Sequence, residues 1–239
     1  MGYTYSLAHL DLLKLKSKSD LVNAMKNHDL DSYTYSVHTG QLNMAIGKEL
    51  GFKHEYTYLL FQCGIFHDTG KLGMNTEFLN YPGAYTLSMY KEMKKHTSGG
   101  GMLLEKIGAE EEIINTAKHH HCNYDGSGYP GGFYEKEIPF EARITRISDS
   151  VDAYMTKRCY KEGGPANGVL DDLNQYIHSS YDPAILQAFS SVHAAIMNAS
   201  HKDGNDRPSQ HLYMHYLSAH YGEAEKERFE IELLQSKAN

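Results

Sequence analysis

His119–Gly132 reads HHHCNYDGSGYPGG, three adjacent histidines running straight into a glycine-rich turn. Four glycines and a proline within the eight residues Asp125–Gly132 cannot hold a helix, so this part is a loop. Upstream, apolar spacing predicts a short helix over 113–121, which puts the histidines at its end. The stretch therefore sets metal-ligating side chains beside the most pliable backbone in the chain.

Working outward, the periodicity stays helical. Val37, Leu42, Ala45, Ile46 and Leu50 have near-helical spacing, and Gly51 stops that helix. A mostly apolar helix is expected over 58–67, broken at Thr69-Gly70. An amphipathic one over 85–96 should end before the Ser-Gly-Gly-Gly joint at Ser98–Gly101. After Pro139, the stripe Ile144, Ile147, Val151, Tyr154 marks another, and GGPANG (Gly163–Gly168) a further break. Asp182-Pro183 opens a helix to about residue 198. His201–Gln210 reads as a linker, followed by a terminal helix from His211 to about Lys237. Strand signals are nearly absent, so the expected class is all-α. The expected organisation is a helical lead-in over 1–30, one domain over 31–200, and a linker with a C-terminal helix over 201–239.

The 239-residue chain can bury a substantial core, and its formal net charge of -7 opposes binding of a nucleic-acid polymer. A phosphate-bearing ligand would need a local positive site. Three scattered cysteines, Cys63, Cys122 and Cys159, form no C-x-x-C pair and suggest a reducing, cytoplasmic setting. No apolar run reaches the length of a membrane span, so no membrane partner is expected. Histidine (15) and tyrosine (19) are abundant and tryptophan is absent, which turns attention to imidazole chemistry.

IFHDTGK (Ile65–Lys71) places an imidazole and a carboxylate at a helix end. Two metals can share such a carboxylate, clamp a phosphoryl group and activate a water between them. Lys71, three residues after Asp68, could meet a phosphate oxygen. A His-Asp doublet alone is too common to decide anything. However, His38 lies in one helix, His96 ends another, His120-His121 end a third, and Asp149 sits off the apolar stripe of a fourth. Several helices each delivering a His or Asp is how bundle-core metal sites are built.

In this order, His38, HDTGK, His96, His120-His121 followed by DGSGYP, and Asp149, the chain resembles the HD-GYP family of bacterial cyclic dinucleotide phosphodiesterases, over roughly residues 30–190 and including Tyr181-Asp182-Pro183. The resemblance implies an HD-domain helical bundle with a metal cluster in its core. It implies His38, His67, Asp68, His96, His120, His121 and Asp149 as metal ligands, with Asp68 bridging, and Lys71 on the phosphate. Gly126, Gly128, Tyr129 and Pro130 would shape the substrate loop, the glycines letting backbone approach the ligand. Arg158 and Lys161 fall where the family places basic residues that meet the dinucleotide. The implied substrate is a cyclic purine dinucleotide, foremost cyclic di-GMP, opened to the linear form by a two-metal-activated hydroxide, with iron or manganese as the metals. A non-hydrolysing dinucleotide receptor and an HD-type hydrolase of other nucleotides are the alternatives.

The departures also carry expectations. Three-metal members have a glutamate four residues before the first histidine. Thr34 stands there, so two metals are expected. Cys122, Asn123 and Tyr124 replace an acidic residue and a common Arg-Trp pair, which leaves the loop's orientation open. His119 is read as an imidazole behind the ligands or facing solvent. Asp152 could orient a ligand or relay a proton. His211, His215 and His220, with Tyr213, Tyr216 and Tyr221, could form an interface for a regulatory protein or a second copy, or the terminal helix could pack back on the bundle.

Overall fold

The computed structural model describes residues 3–8, 10–11, 14–156, 163–202, 210–222 and 227–229. The first helix, α1 (Lys18–His28), starts from a reciprocal cap in which the Ser17 hydroxyl accepts from the Asp20 N–H while the Asp20 carboxylate accepts from the Ser17 N–H. Asp29 ends it and at once caps α2 (Leu30–Glu49), accepting from the Asp31 and Ser32 amides. Thus α2 begins a full two turns before the apolar spacing that announced it. Gly51 follows with φ +80 and ends it, as the sequence indicated.

Helix α3 (His54–Phe66) folds back along α2. Their backbones touch where Gly40 faces Gly64. A Cβ on Gly64 would stand 2.4 Å from the Gly40 main chain, so only glycine admits this crossing. After α3 come a tight 3-10 turn over Thr69–Gly73 and the short α4 (Thr76–Leu79).

Helix α5 runs from Leu87 to Lys106, straight through Ser98–Gly101. The expected joint there is corrected: those glycines are packing contacts, not breaks. A Cβ on Gly99 would fall 1.6 Å from the Tyr5 hydroxyl, and one on Gly101 2.5 Å from Lys118 Cε. Close packing on both sides offsets the roughly 1 kcal/mol that each helical glycine costs. Facing them, a Cβ on Gly70 would sit 1.8 Å from the His96 carbonyl oxygen, so the turn after Asp68 lies flat against α5.

Helix α6 (Glu111–His119) leaves His120 as its cap and His121 beyond it. Helix α7 (Phe140–Met155) buries Ile144, Ile147 and Val151 as expected, and Asp152 with them. Tyr154 instead shapes the following break: Gly164 donates to its carbonyl at 2.8 Å and packs on its ring. The short α8 (Val169–Asn174) precedes α9 (Pro183–Lys202), whose first turn is held by Asp182. One Asp182 oxygen accepts from the Ala184 amide at 2.9 Å and the other pairs with Arg143. Helix α10 (Gln210–Leu217) passes into a π-helical turn over Ser218–Gly222. Of the stretch expected to continue as helix to Lys237, residues 223–226 and 230–237 lie outside the described residues.

Among the described residues no named strand occurs, and the fold is all-α. One core joins α2 and α7 to α9 and α10, around Leu42, Ile147, Phe189 and Tyr213. A second joins α1, α3, α5 and α6, around Leu21, Phe61 and Leu104. Phe229 sits in this second core against Phe61 and Phe66, so residues 227–229 pack on the bundle. Helix α2 serves both cores. The ends of α3 and α6 meet α5 and α7 where the cores adjoin.

Candidate metal centre and cavity

His67 caps the end of α3, and its Nδ1 donates to the Gly64 carbonyl at 2.6 Å. His96 Nδ1 donates to Met93 O at 2.7 Å, and His120 Nδ1 to Thr116 and Ala117 O at 3.1 Å. In each case a carbonyl of the residue's own helix turn takes the Nδ1 proton. That fixes Nδ1 as a protonated nitrogen and turns Nε2 to the site, bare in His96 and His120, the usual preparation of a metal-ligating imidazole. His38 on α2 is held in the same sense by a carboxylate, with Nδ1 3.2 Å from Asp152 Oδ1. The orienting role expected of Asp152 is therefore exerted on His38. Thr156 Oγ1 in turn donates to the other Asp152 oxygen at 3.2 Å.

The Nε2 atoms converge on Asp68. Asp68 Oδ2 lies 3.1 Å from His67 Nε2, and Oδ1 lies 3.3 Å from His96 Nε2 and 3.8 Å from His120 Nε2. His96 and His120 face each other Nε2 to Nε2 at 3.2 Å, a placement that two lone pairs adopt around a shared cation. The His120 and His121 rings are 4.2 Å apart. Two ligand groups form within 4.8 Å, His96–His120–His121 and His67–Asp68–His120. Asp149 joins the edge, its Oδ1 3.8 Å from His67 Nε2. His38 lies outside both groups, on Asp152.

The electrostatics fit a cation. His67 Nε2 and Asp68 Oδ1 are buried and lack a hydrogen-bond partner, a costly state that a coordinated ion removes. Burial pushes His96, His120 and His121 below the ordinary imidazole range, His120 to about 3 with help from neighbouring histidines. All three are neutral, as ligands must be. Burial would also lower His67, but the charges of Asp68 and Asp149 override it and hold His67 at about 10. Burial acts to raise Asp68 and Asp149; their cationic neighbours, His67 foremost, prevail and hold both low. A cation entering the site takes over the charge that the His67 proton and Lys71 supply. Lys71 Nζ lies 2.5 Å from Asp68 Oδ2, so the lysine expected on phosphate rests on the doublet's carboxylate.

This cluster forms the floor of a cavity of about 590 Å³. Lys71, Tyr129 and Asp149 line it, and so do Tyr35, Tyr85, Tyr90 and Met93. Gly126, Gly128 and Pro130 do not. Gly126 and Gly128 adopt φ of +84 and +87, and a Cβ on Gly128 would come 2.3 Å from the His121 carbonyl. The glycines bring backbone close to backbone. The Tyr129 N–H then donates to His121 O at 3.1 Å, and its ring stacks on the His121 ring at 4.6 Å. Arg146 ties the loop to α7 through Asn123 Oδ1 at 3.0 Å.

Cys122 is buried, and that burial raises its thiol above the usual range. His119 packs on Phe133, away from the ligand groups. His215 and His220 are exposed, whereas Tyr213 is buried and meets His193 at 3.1 Å. Arg158 and Lys161 lie outside the described residues. The wall tyrosines escaped the sequence reading, although Ser32, Tyr35 and Thr39 share one face of α2 at helical spacing. Tyr90 and Met93 likewise precede His96 by two turns and one.

A family model described as HD domain matches residues 15–185. A cyclic di-GMP phosphodiesterase of Thermotoga maritima is 27% identical over 198 residues, covering 80% of this chain and 52% of that protein. One of Pseudomonas aeruginosa is 28% identical over 199 residues, covering 79% and 48%. The chain thus spans about half the length of these relatives. A solved cyclic GMP-AMP specific phosphodiesterase of Vibrio cholerae shares the fold with a TM-score of 0.56 at 11% identity, over 91% of this chain and 59% of that one. With a matched model over most of its length and the His-Asp doublet at the centre of its buried cluster, the chain belongs to the HD domain family.

Proposed function

We propose that the chain is a metal-dependent phosphodiesterase that opens a cyclic purine dinucleotide, foremost cyclic di-GMP, to the linear dinucleotide. The observation that carries this reading is the set of imidazole Nε2 atoms meeting Asp68 on the floor of a tyrosine-walled cavity. Its volume is within the range of small-molecule sites, about 300–1,000 Å³. The two relatives named as cyclic di-GMP phosphodiesterases support the substrate class.

His38, His67, Asp68, His96, His120, His121 and Asp149 would hold two divalent metals, iron or manganese, with Asp68 shared between them. Such metals supply an activated water and neutralise charge at the attacked phosphodiester. The chain's residues do the rest. Asp152 and the helix carbonyls hold the imidazoles in one tautomer. Lys71, freed from Asp68 once the carboxylate is coordinated, reaches the phosphate with a charge-assisted hydrogen bond. Tyr35, Tyr85 and Tyr90 offer faces on which bases stack.

The test is chromatography of products after protein loaded anaerobically with iron or manganese meets cyclic di-GMP. Linear dinucleotide formed only with metal is the expected outcome. Binding without turnover would leave a receptor, and preferential turnover of mononucleotides would leave a different hydrolase.

A further inference from the structure

Apart from the proposed metals, the cavity wall offers its proposed ligand little positive charge that is free. Asp29, Asp31, Asp68 and Asp149 line it, and Lys71 is paired with Asp68. A cyclic dinucleotide has two phosphodiesters, and the metal centre can serve one. The other needs a cation that is not already neutralised.

Lys94 meets that need. It lies two residues before His96 on α5, and its Nζ stands 4.7 Å from the centre of the Tyr90 ring and 5.0 Å from that of Tyr129. Both rings line the cavity. Tyr90 is one helical turn before Lys94, an i,i+4 pair that fixes the lysine along the helix. Tyr129 comes from the GYP loop and is itself seated on His121. No described carboxylate lies within ion-pair distance of Lys94. The nearest acid in sequence, Glu92, is engaged by Lys95 at 2.7 and 2.8 Å and by the Tyr5 amide. Two aromatic faces attract an ammonium without cancelling its charge, so they position it and leave its N–H groups free for an anion.

We propose that Lys94, poised on the cavity-wall tyrosines Tyr90 and Tyr129, binds the phosphate of the cyclic dinucleotide that is not attacked. This makes it a substrate-positioning residue and rests on the phosphodiesterase reading above.

The experiment compares the parent protein with Lys94→Met, Lys94→Arg and Lys95→Met, all loaded with manganese. Each is assayed on cyclic di-GMP and on bis-p-nitrophenyl phosphate, which has one phosphodiester only. Lys94→Met should raise KM for the dinucleotide by roughly tenfold or more, as for a lost charge-assisted hydrogen bond, and weaken the salt dependence of that KM. Its loss on the dinucleotide should exceed its loss on the small diester at least about tenfold on the same grounds. Lys94→Arg keeps the charge and should recover most of the KM, and Lys95→Met should match the parent. Equal losses on both substrates, no rescue by arginine, or no effect of Lys94→Met overturns the proposal while leaving the phosphodiesterase standing. A parent protein that turns over neither substrate overturns the phosphodiesterase reading itself, and this assignment with it.

Discussion

At the scale of single residues, the site is defined by which nitrogen each imidazole leaves bare. Asp68 receives His67, His96, His120 and Lys71 at once, so Asp68→Ala should abolish metal retention and turnover together. Metal analysis beside an activity assay checks this, and survival of near-parent activity would move the site elsewhere. If Lys71 serves the phosphate as proposed, Lys71→Ala should keep the metal and slow the chemical step. Asp152 acts one bond further out. With Nδ1 of His38 resting on it, Asp152→Ala should weaken metal affinity by roughly 10–100-fold, the usual cost of losing such an orienting partner. A chelator competition titration reads that shift, and an unchanged affinity would mean that His38 is not a ligand. The doublet, the histidine pair and Asp149 were legible from order and spacing. The contact between Asp152 and His38, 114 positions apart, was not, because no local pattern encodes it.

At the scale of elements, periodicity located α3, α6, α7 and α9 and failed where sequence punctuation has a tertiary reason. Ser98–Gly101 looks like a hinge to any local rule, but its glycines are what let α5 lie against Tyr5 and Lys118. Local propensity lost to packing there. The same logic governs Gly64. Gly64→Ala would set a Cβ 2.4 Å from the Gly40 backbone, which cannot move without parting α2 from α3. It should therefore destabilise by about 1–3 kcal/mol or more, read as a lowered urea midpoint; an unchanged midpoint would refute the tight crossing. A second expectation concerns α9 and α10. Burial lowers His193 below the ordinary imidazole range, with the Tyr213 hydroxyl as its neighbour. Below the unfolded value of about 6.5 the unfolded chain binds the proton that the folded one refuses, so stability is lost as pH falls. His193→Gln, which can keep the Tyr213 contact without titrating, should lose less stability than the parent between pH 7.5 and 5.5.

At the scale of the whole molecule, the cluster sits where two hydrophobic cores adjoin. Its side chains come from α5 and α7 and from the ends of α3 and α6, while His38 on α2 rests on Asp152 of α7. Each core can be satisfied by apolar burial, but the seam between them holds buried carboxylates and imidazoles whose mutual pairing is incomplete. A metal that binds this seam binds the folded chain and has no comparable site in the unfolded one, so its binding energy adds to stability. The gain is RT ln(1 + [L]/Kd), about 2.7 kcal/mol at a hundredfold excess over Kd. Manganese should therefore raise the melting temperature of the parent protein in a concentration-dependent way. The increment should vanish in Asp68→Ala, whose own metal-free melting temperature separates loss of binding from loss of fold. Because Thr34 is one turn before His38 on α2 and its hydroxyl donates to Leu30 O at 2.9 Å, it is turned to its own helix and adds no ligand. Saturation should then come at two metals per chain, measured by elemental analysis across the same titration. A plateau at one would remove the two-metal reading of the site, and a melting temperature indifferent to metal would show that the seam is held by its ion pairs alone.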